Sequence, residues 1–97
     1  MIDRRARPRI TEDDELIREI VAQHVGVLPA GVHRIELQFG SDSTGDPAVW
    51  IVAVVGSEVE ATNENVASIG DLFDRLKMKI IKAHTIRWPY TRIEVED

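Results

Sequence analysis

The strongest chemical signal in the sequence is a run of basic residues near its C-terminal end, with no acidic residue among positions 75–93. Three of these cations recur at i, i+4 and i+7, a spacing that places side chains on one face of a helix. Cations that contact phosphate, beside aromatic side chains that stack on bases, are typical of RNA-binding surfaces. The candidate RNA-binding residues are Arg75, Lys79, Lys82, Arg87 and Arg92.

The same segment allows two other interpretations. Its cations could form a solvated helix face that pairs with Asp71, Asp74 or the acidic first helix, and cations in a last turn also suit the helix dipole. Alternatively, Trp88, Tyr90 and Arg92 could form a protein interface, because exposed aromatic side chains on an edge strand are a common route to a partner or a homodimer. These alternatives stay open at the level of sequence.

Residue types that support catalysis or metal binding are sparse. The chain has no cysteine, which excludes disulfides, thiolate metal sites and thiol catalysis. His24, His33 and His84 lack the paired spacing of a zinc site, and no serine lies in a Gly-x-Ser-x-Gly elbow. We therefore expect no enzymatic activity, no cofactor, no metal and no small-molecule substrate.

One loop carries alternating oxygen donors. Asp42, Thr44 and Asp46 resemble the first half of a calcium-binding loop, although the downstream bidentate glutamate is absent. The favoured alternative is a turn in which an aspartate caps backbone amides.

Composition limits the class of protein. A chain of 97 residues fits one domain, and 43% hydrophobic with 30% charged residues is typical of a globular one. The net charge of −5 argues against generic nucleic-acid binding, which depends on excess Lys and Arg. The absence of cysteine and of a long apolar run predicts a cytoplasmic protein with no membrane contact.

The first ten residues differ from the rest of the chain. They carry four arginines and Pro8, and no apolar segment follows them, so they do not resemble a secretory signal. We predict a flexible basic arm over residues 1–10, whose arginines could join an RNA-binding surface, and a single domain over residues 11–97.

Hydrophobic periodicity predicts five elements within that domain. A helix begins at Thr11 and ends near Gly26, and a half-buried strand surrounds Leu37. The apolar run 48–55 predicts a central strand, in which Trp50 packs in the core, and the two strands form an antiparallel hairpin.

A second helix spans about residues 63–83, and a last strand follows it. Pro89 places the start of that strand near Tyr90, and Ile93 and Val95 then point to the core. The prediction is an α+β fold of order αββαβ, with two helices packed on one face of a three-stranded sheet and the last strand parallel to one of the others.

This order resembles the type II KH-like fold, and more narrowly ribosome-binding factor A. The similar segments are residues 15–24, residues 32–37 leading into Asp42 and 48–56, residues 67–76, and Arg87-Trp-Pro-Tyr90 before a final acid. That resemblance implies RNA binding at the ribosome. The Asp-Ser-Thr-Gly-Asp-Pro-Ala loop, residues 42–48, also looks like a loop of small uncharacterised prokaryotic proteins, which implies no activity.

Taken together, these patterns favour a small non-enzymatic protein-binding or adaptor module that associates with a partner or with itself. The alternative is a ribosome-associated RNA-binding domain of the KH-like class.

Overall fold

The computed structural model describes residues 6–57 and 63–96, with side chains at 12–57 and 65–96. Its element order confirms the predicted αββαβ arrangement. Among these residues no helix combines the length and the apolar character that crossing a membrane would require. The elements are α1 (Ala6–His24), β1 (Val32–Ser41), β2 (Pro47–Gly56), α2 (Asn63–Lys82) and β3 (Trp88–Glu96).

The three strands form one mixed sheet in the order β1-β2-β3. β1 and β2 make the predicted antiparallel hairpin, with Leu37 opposite Ile51. The crossover through α2 brings β3 back parallel to β2, with Trp50 beside Tyr90. β2 is therefore the central strand, and among the described residues one edge of β3 pairs with no other strand.

Both helices pack on the same face of the sheet, as predicted. Their apolar stripes meet the odd-numbered residues of β2, which alternate toward the helices because side chains in a strand point to opposite faces. The core consists of Ile17, Ile20, Val21, Val32, Val49, Ile51, Ala53, Val55, Ile69, Leu72, Phe73, Leu76 and Ile80.

Two predicted boundaries were wrong. α1 begins at Ala6 rather than Thr11, so residues 6–10 of the predicted arm are helical and residues 1–5 lie outside the described residues. Pro8 is compatible with this start because the amides of a first helical turn have no intrahelical acceptor. β3 begins at Trp88 rather than Tyr90, and Pro89 is tolerated there because an edge strand pairs on one side only.

Two predicted core assignments were also wrong. Ile93 and Val95 lie on the helix side of the sheet but are exposed, because neither helix extends over that half of β3. Trp50 points to the opposite side, away from α1 and α2, and it is half-buried against Tyr90. Alternation placed Ile93 and Val95 on the correct side of the sheet, but it does not show which part of that side a helix covers. The wholly apolar run 48–55 gave no indication of which of its residues face the helices.

A candidate protein interface at the third strand

Arg75, the first of the predicted RNA-binding cations, caps α1. Its guanidinium donates from Nε to the carbonyl of His24 at 3.0 Å and from Nη2 to the carbonyl of Val25 at 3.1 Å. Gly26 follows in the left-handed region, with φ of 63°, which ends the helix at that point. Carbonyls at the end of a helix lack intrahelical donors, so Arg75 has a structural role.

Arg87 is also held inside the domain. Its side chain is only 12% exposed and forms a two-pronged ion pair with Asp14 of α1, at 2.6 Å from Nε and 3.3 Å from Nη2. Nη1 donates to the carbonyls of Gly40, at 2.7 Å, and Ala48, at 3.1 Å. The guanidinium also lies over the ring of Phe39. Arg87 thus joins the first helix to the end of β1 and the start of β2.

The remaining predicted cations lie on two different surfaces. Lys79 and Lys82 are exposed in the last turn of α2, within the helical layer. Arg92 lies on the other side of the sheet, where it donates to Gln38 and to Glu94. The five candidate RNA-binding residues are therefore not brought together into one patch.

The sheet surface that carries no helix is crossed by hydrogen bonds between β1 and β3. We call this surface the helix-free face; its central row is Ala48, Trp50, Val52 and Val54 of β2. Val52 and Val54 are buried although neither α1 nor α2 packs on this side of the sheet. Arg92 with Gln38 and Arg34 with Glu96 connect β3 to β1, and Tyr90 with Asp42 connects β3 to the turn that follows β1.

Glu96 closes one end of this face. Both of its oxygens accept from Arg34, at 2.8 and 3.0 Å, and one also lies 3.0 Å from Nδ1 of His33. The hydrogen bonds from Arg34, and then from His33, lower the pKa of Glu96 from 4.5 to about 2. The carboxylate therefore stays charged in the folded state under conditions where it takes up a proton in the unfolded chain.

A pH dependence of stability follows from Glu96. The contribution of Glu96 to the free energy of unfolding is complete above its pKa of 4.5 in the unfolded chain. It is lost as the pH falls toward the pKa of about 2 in the folded state. We expect Glu96→Gln to lose less thermal stability than the wild type over that interval, measured as Tm at several pH values. Glu12→Gln removes an exposed carboxylate of α1 and is the control for the loss of one negative charge. Parallel curves for wild type and Glu96→Gln would contradict the assignment.

Asp42 occupies the other end of the helix-free face and organises the turn between β1 and β2. One of its oxygens accepts from the Thr44 hydroxyl at 2.6 Å, the Thr44 amide at 2.9 Å and the Asp46 amide at 3.1 Å. The Thr44 hydroxyl makes the largest contribution to lowering the pKa of Asp42. The loop is thus a turn in which Asp42 caps backbone amides, which is the interpretation that the sequence favoured over a calcium-binding loop.

The second carboxylate oxygen of Asp42 connects this turn to β3. It accepts from the hydroxyl of Tyr90 at 3.0 Å, and this hydrogen bond raises the pKa of Tyr90. The Tyr90 ring stacks on Trp50, with 5.7 Å between centroids and 22° between the planes. The aromatic part of the predicted interface is therefore held in place from both sides.

β3 exposes apolar surface on both of its faces. On the helix-free face, Trp88 is 53% exposed beside Tyr90 and Arg92, so the three predicted interface residues share one row. On the helix side, Ile93 is 49% and Val95 66% exposed. Sequence reasoning assigned this second pair to the core, because alternation along a strand does not show whether a helix covers the apolar face.

Comparisons with known proteins bear on the fold. No protein-family model matches the chain, and no curated protein does either. A solved structure of a putative zinc transporter, CzrB, is similar with a TM-score of 0.51 and 16% identity, over 89% of this chain and 95% of that one. Identity this low shows a shared fold and nothing more.

Two solved structures of the MamM CTD are also similar, one of them a copper form. Each has a TM-score of 0.47 and 10% identity, covers 99% of that chain, and spans 89% or 87% of this one. Scores this low support no argument about the present chain. The resemblance to ribosome-binding factor A stays a prediction.

Proposed function

We propose that this domain is a non-enzymatic association module that binds a second copy of itself through β3. The observation that carries the proposal is an edge strand that is exposed on both faces by apolar or aromatic side chains, Trp88 on one side and Ile93 and Val95 on the other. Such an edge has a row of unpaired amides and carbonyls, which makes it a template for another strand.

The charges of the domain support this proposal over the RNA-binding alternative. The guanidinium groups of Arg75 and Arg87 donate hydrogen bonds to α1, β1 and β2. In addition, the net charge of the chain is −5. Affinity for phosphate depends on cations that are free to replace counterions. Of the five candidates among the described residues, Lys79 and Lys82 are the exposed cations without such hydrogen bonds, and two phosphate contacts give only weak binding.

The proposal is tested by the mass of the protein in solution. We expect sedimentation equilibrium to detect a concentration-dependent dimer of the wild type. Val95→Lys should be monomeric over the same range, because the change puts a charge on the helix side of the exposed strand without disturbing the core.

A matched control separates this effect from added charge in general. Val27 is 94% exposed in the link between α1 and β1, far in sequence from β3, so Val27→Lys should dimerise like the wild type. A wild type that stays monomeric up to millimolar concentration, or a Val95→Lys variant that dimerises normally, would refute the proposal.

A further inference from the structure

The residues of β3 on one side of Ile93 complement those on the other side, so that two antiparallel copies of the strand could pair around this residue. Counting outward from Ile93, Arg92 is matched by Glu94, and Thr91 is matched by Val95. We infer, on the basis of the proposed function, that two copies pair their β3 strands antiparallel with the two-fold axis at Ile93. A symmetric antiparallel pair places each residue opposite the one equally far on the other side of the axis.

Charge favours this register on the helix-free face. It places Arg92 opposite Glu94 of the second copy, and the same pair occurs again across the axis. In the single chain Arg92 and Glu94 already form an exposed ion pair along the strand at 2.9 Å, so the dimer alternates four charges around the axis. Opposite charges directly across two strands stabilise the pair, and like charges destabilise it.

Neighbouring registers lose this complementarity. An axis at Arg92 places that arginine opposite its own copy, and an axis at Glu94 does the same for the glutamate. An axis at Val95 places Glu94 opposite Glu96 of the second copy. Registers centred between two residues pair a residue of the helix side with one of the helix-free face, which a two-fold axis perpendicular to the sheet does not allow.

The same register buries the exposed apolar residues on the helix side. A two-fold axis perpendicular to the sheet keeps all helices of the dimer on one face and makes a six-stranded sheet, β1-β2-β3 continued by the second copy. Ile93 then contacts its own copy, and Val95 lies opposite Thr91. The residues at 49% and 66% exposure thus gain the cover that neither helix of their own chain supplies.

Disulfide cross-linking tests the register directly, since the chain has no cysteine of its own. Directly opposite residues of an antiparallel pair have Cα atoms about 4.5–5.5 Å apart, within reach of a disulfide. Ile93→Cys should cross-link to itself under mild oxidation, and Thr91→Cys should cross-link to Val95→Cys when the two are mixed. Thr91→Cys alone, and Lys79→Cys on the exposed end of α2, should not.

Charge reversal provides an independent test of the register. Arg92→Glu, or Glu94→Arg, should raise the Kd of self-association about tenfold, because each turns two attractive cross-strand pairs into repulsive ones. The double variant Arg92→Glu with Glu94→Arg restores both pairs and should return the Kd toward the wild-type value.

The outcomes separate the register from the proposed function. Cross-linking at Ile93 together with rescue by the double variant supports both. A dimer that Val95→Lys abolishes, but in which Ile93→Cys does not cross-link faster than Lys79→Cys, overturns the register and leaves the association module standing. A wild type that is strictly monomeric overturns both.

Discussion

Arg87→Met is expected to lower the free energy of unfolding by about 2–3 kcal/mol, because it removes one partner of a partly buried, hydrogen-bonded ion pair. The change leaves the Asp14 carboxylate without its cation, and the carbonyls of Gly40 and Ala48 without the donor from Nη1. Because the side chains of Arg87 and Asp14 are only 12% and 22% exposed, water replaces these contacts poorly. Urea denaturation should give a lower midpoint with an unchanged slope.

Four further variants test which contacts of Arg87 cause that loss. Arg87→Lys keeps the charge but cannot bond α1 and two carbonyls at once, so we expect most of the loss to remain. Asp14→Asn should be destabilising, and combining it with Arg87→Met should cost less than the sum of the two. Lys82→Met, on an exposed cation of α2, should change stability by less than about 0.5 kcal/mol.

This experiment also bears on the RNA-binding alternative. If Arg87 served mainly to contact phosphate, its replacement would leave folding intact and weaken only a salt-sensitive interaction. A loss below about 1 kcal/mol for Arg87→Met would show that the ion pair with Asp14 does not hold the elements together.

The second large effect is a contrast between two isoleucines of the same sheet. Ile51 is fully buried in the centre of β2, whereas Ile93 is half-exposed on β3. Ile51→Ala should lower the free energy of unfolding by about 3–4 kcal/mol, because it combines lost apolar burial with a cavity. Ile93→Ala should cost less than about 1 kcal/mol in the isolated protomer, since much of that side chain is already in water.

The comparison is made in a Val95→Lys background, so that dissociation of a dimer does not add to the unfolding free energy. In the otherwise wild-type chain, Ile93→Ala should instead weaken self-association. Equal losses of monomer stability for Ile51→Ala and Ile93→Ala would place Ile93 in the core and remove the surface on which the proposed function depends.

Much of the architecture could be predicted because it depends on neighbours in sequence. The wholly apolar run 48–55 indicated the central strand, and the capped turn followed from Asp42 beside small polar residues. The boundaries at Ala6 and Trp88 could not be predicted as well, since a proline near the end of an element is compatible with either side of the boundary.

The candidate site was only partly predictable. Trp88, Tyr90 and Arg92 were candidates because exposed aromatic side chains on an edge strand favour a partner, and the structure places the three in one row of β3. The roles of Arg75 and Arg87 could not be inferred, because their acceptors lie 51 and 73 positions away along the chain. The run of cations in the sequence therefore suggested a single binding surface, whereas the fold distributes these side chains over different parts of the domain.

The sequence by itself determined the order of the elements and the apolar stripe of each helix, because both follow from the spacing of apolar residues within each segment. Only the tertiary structure decided that α1 and α2 leave the outer half of β3 uncovered, and that two arginines join distant elements. Whether a helix covers a strand, and which residues form ion pairs, depends on segments that come into contact only when the chain folds. The spacing of residues within one segment therefore does not predict either property.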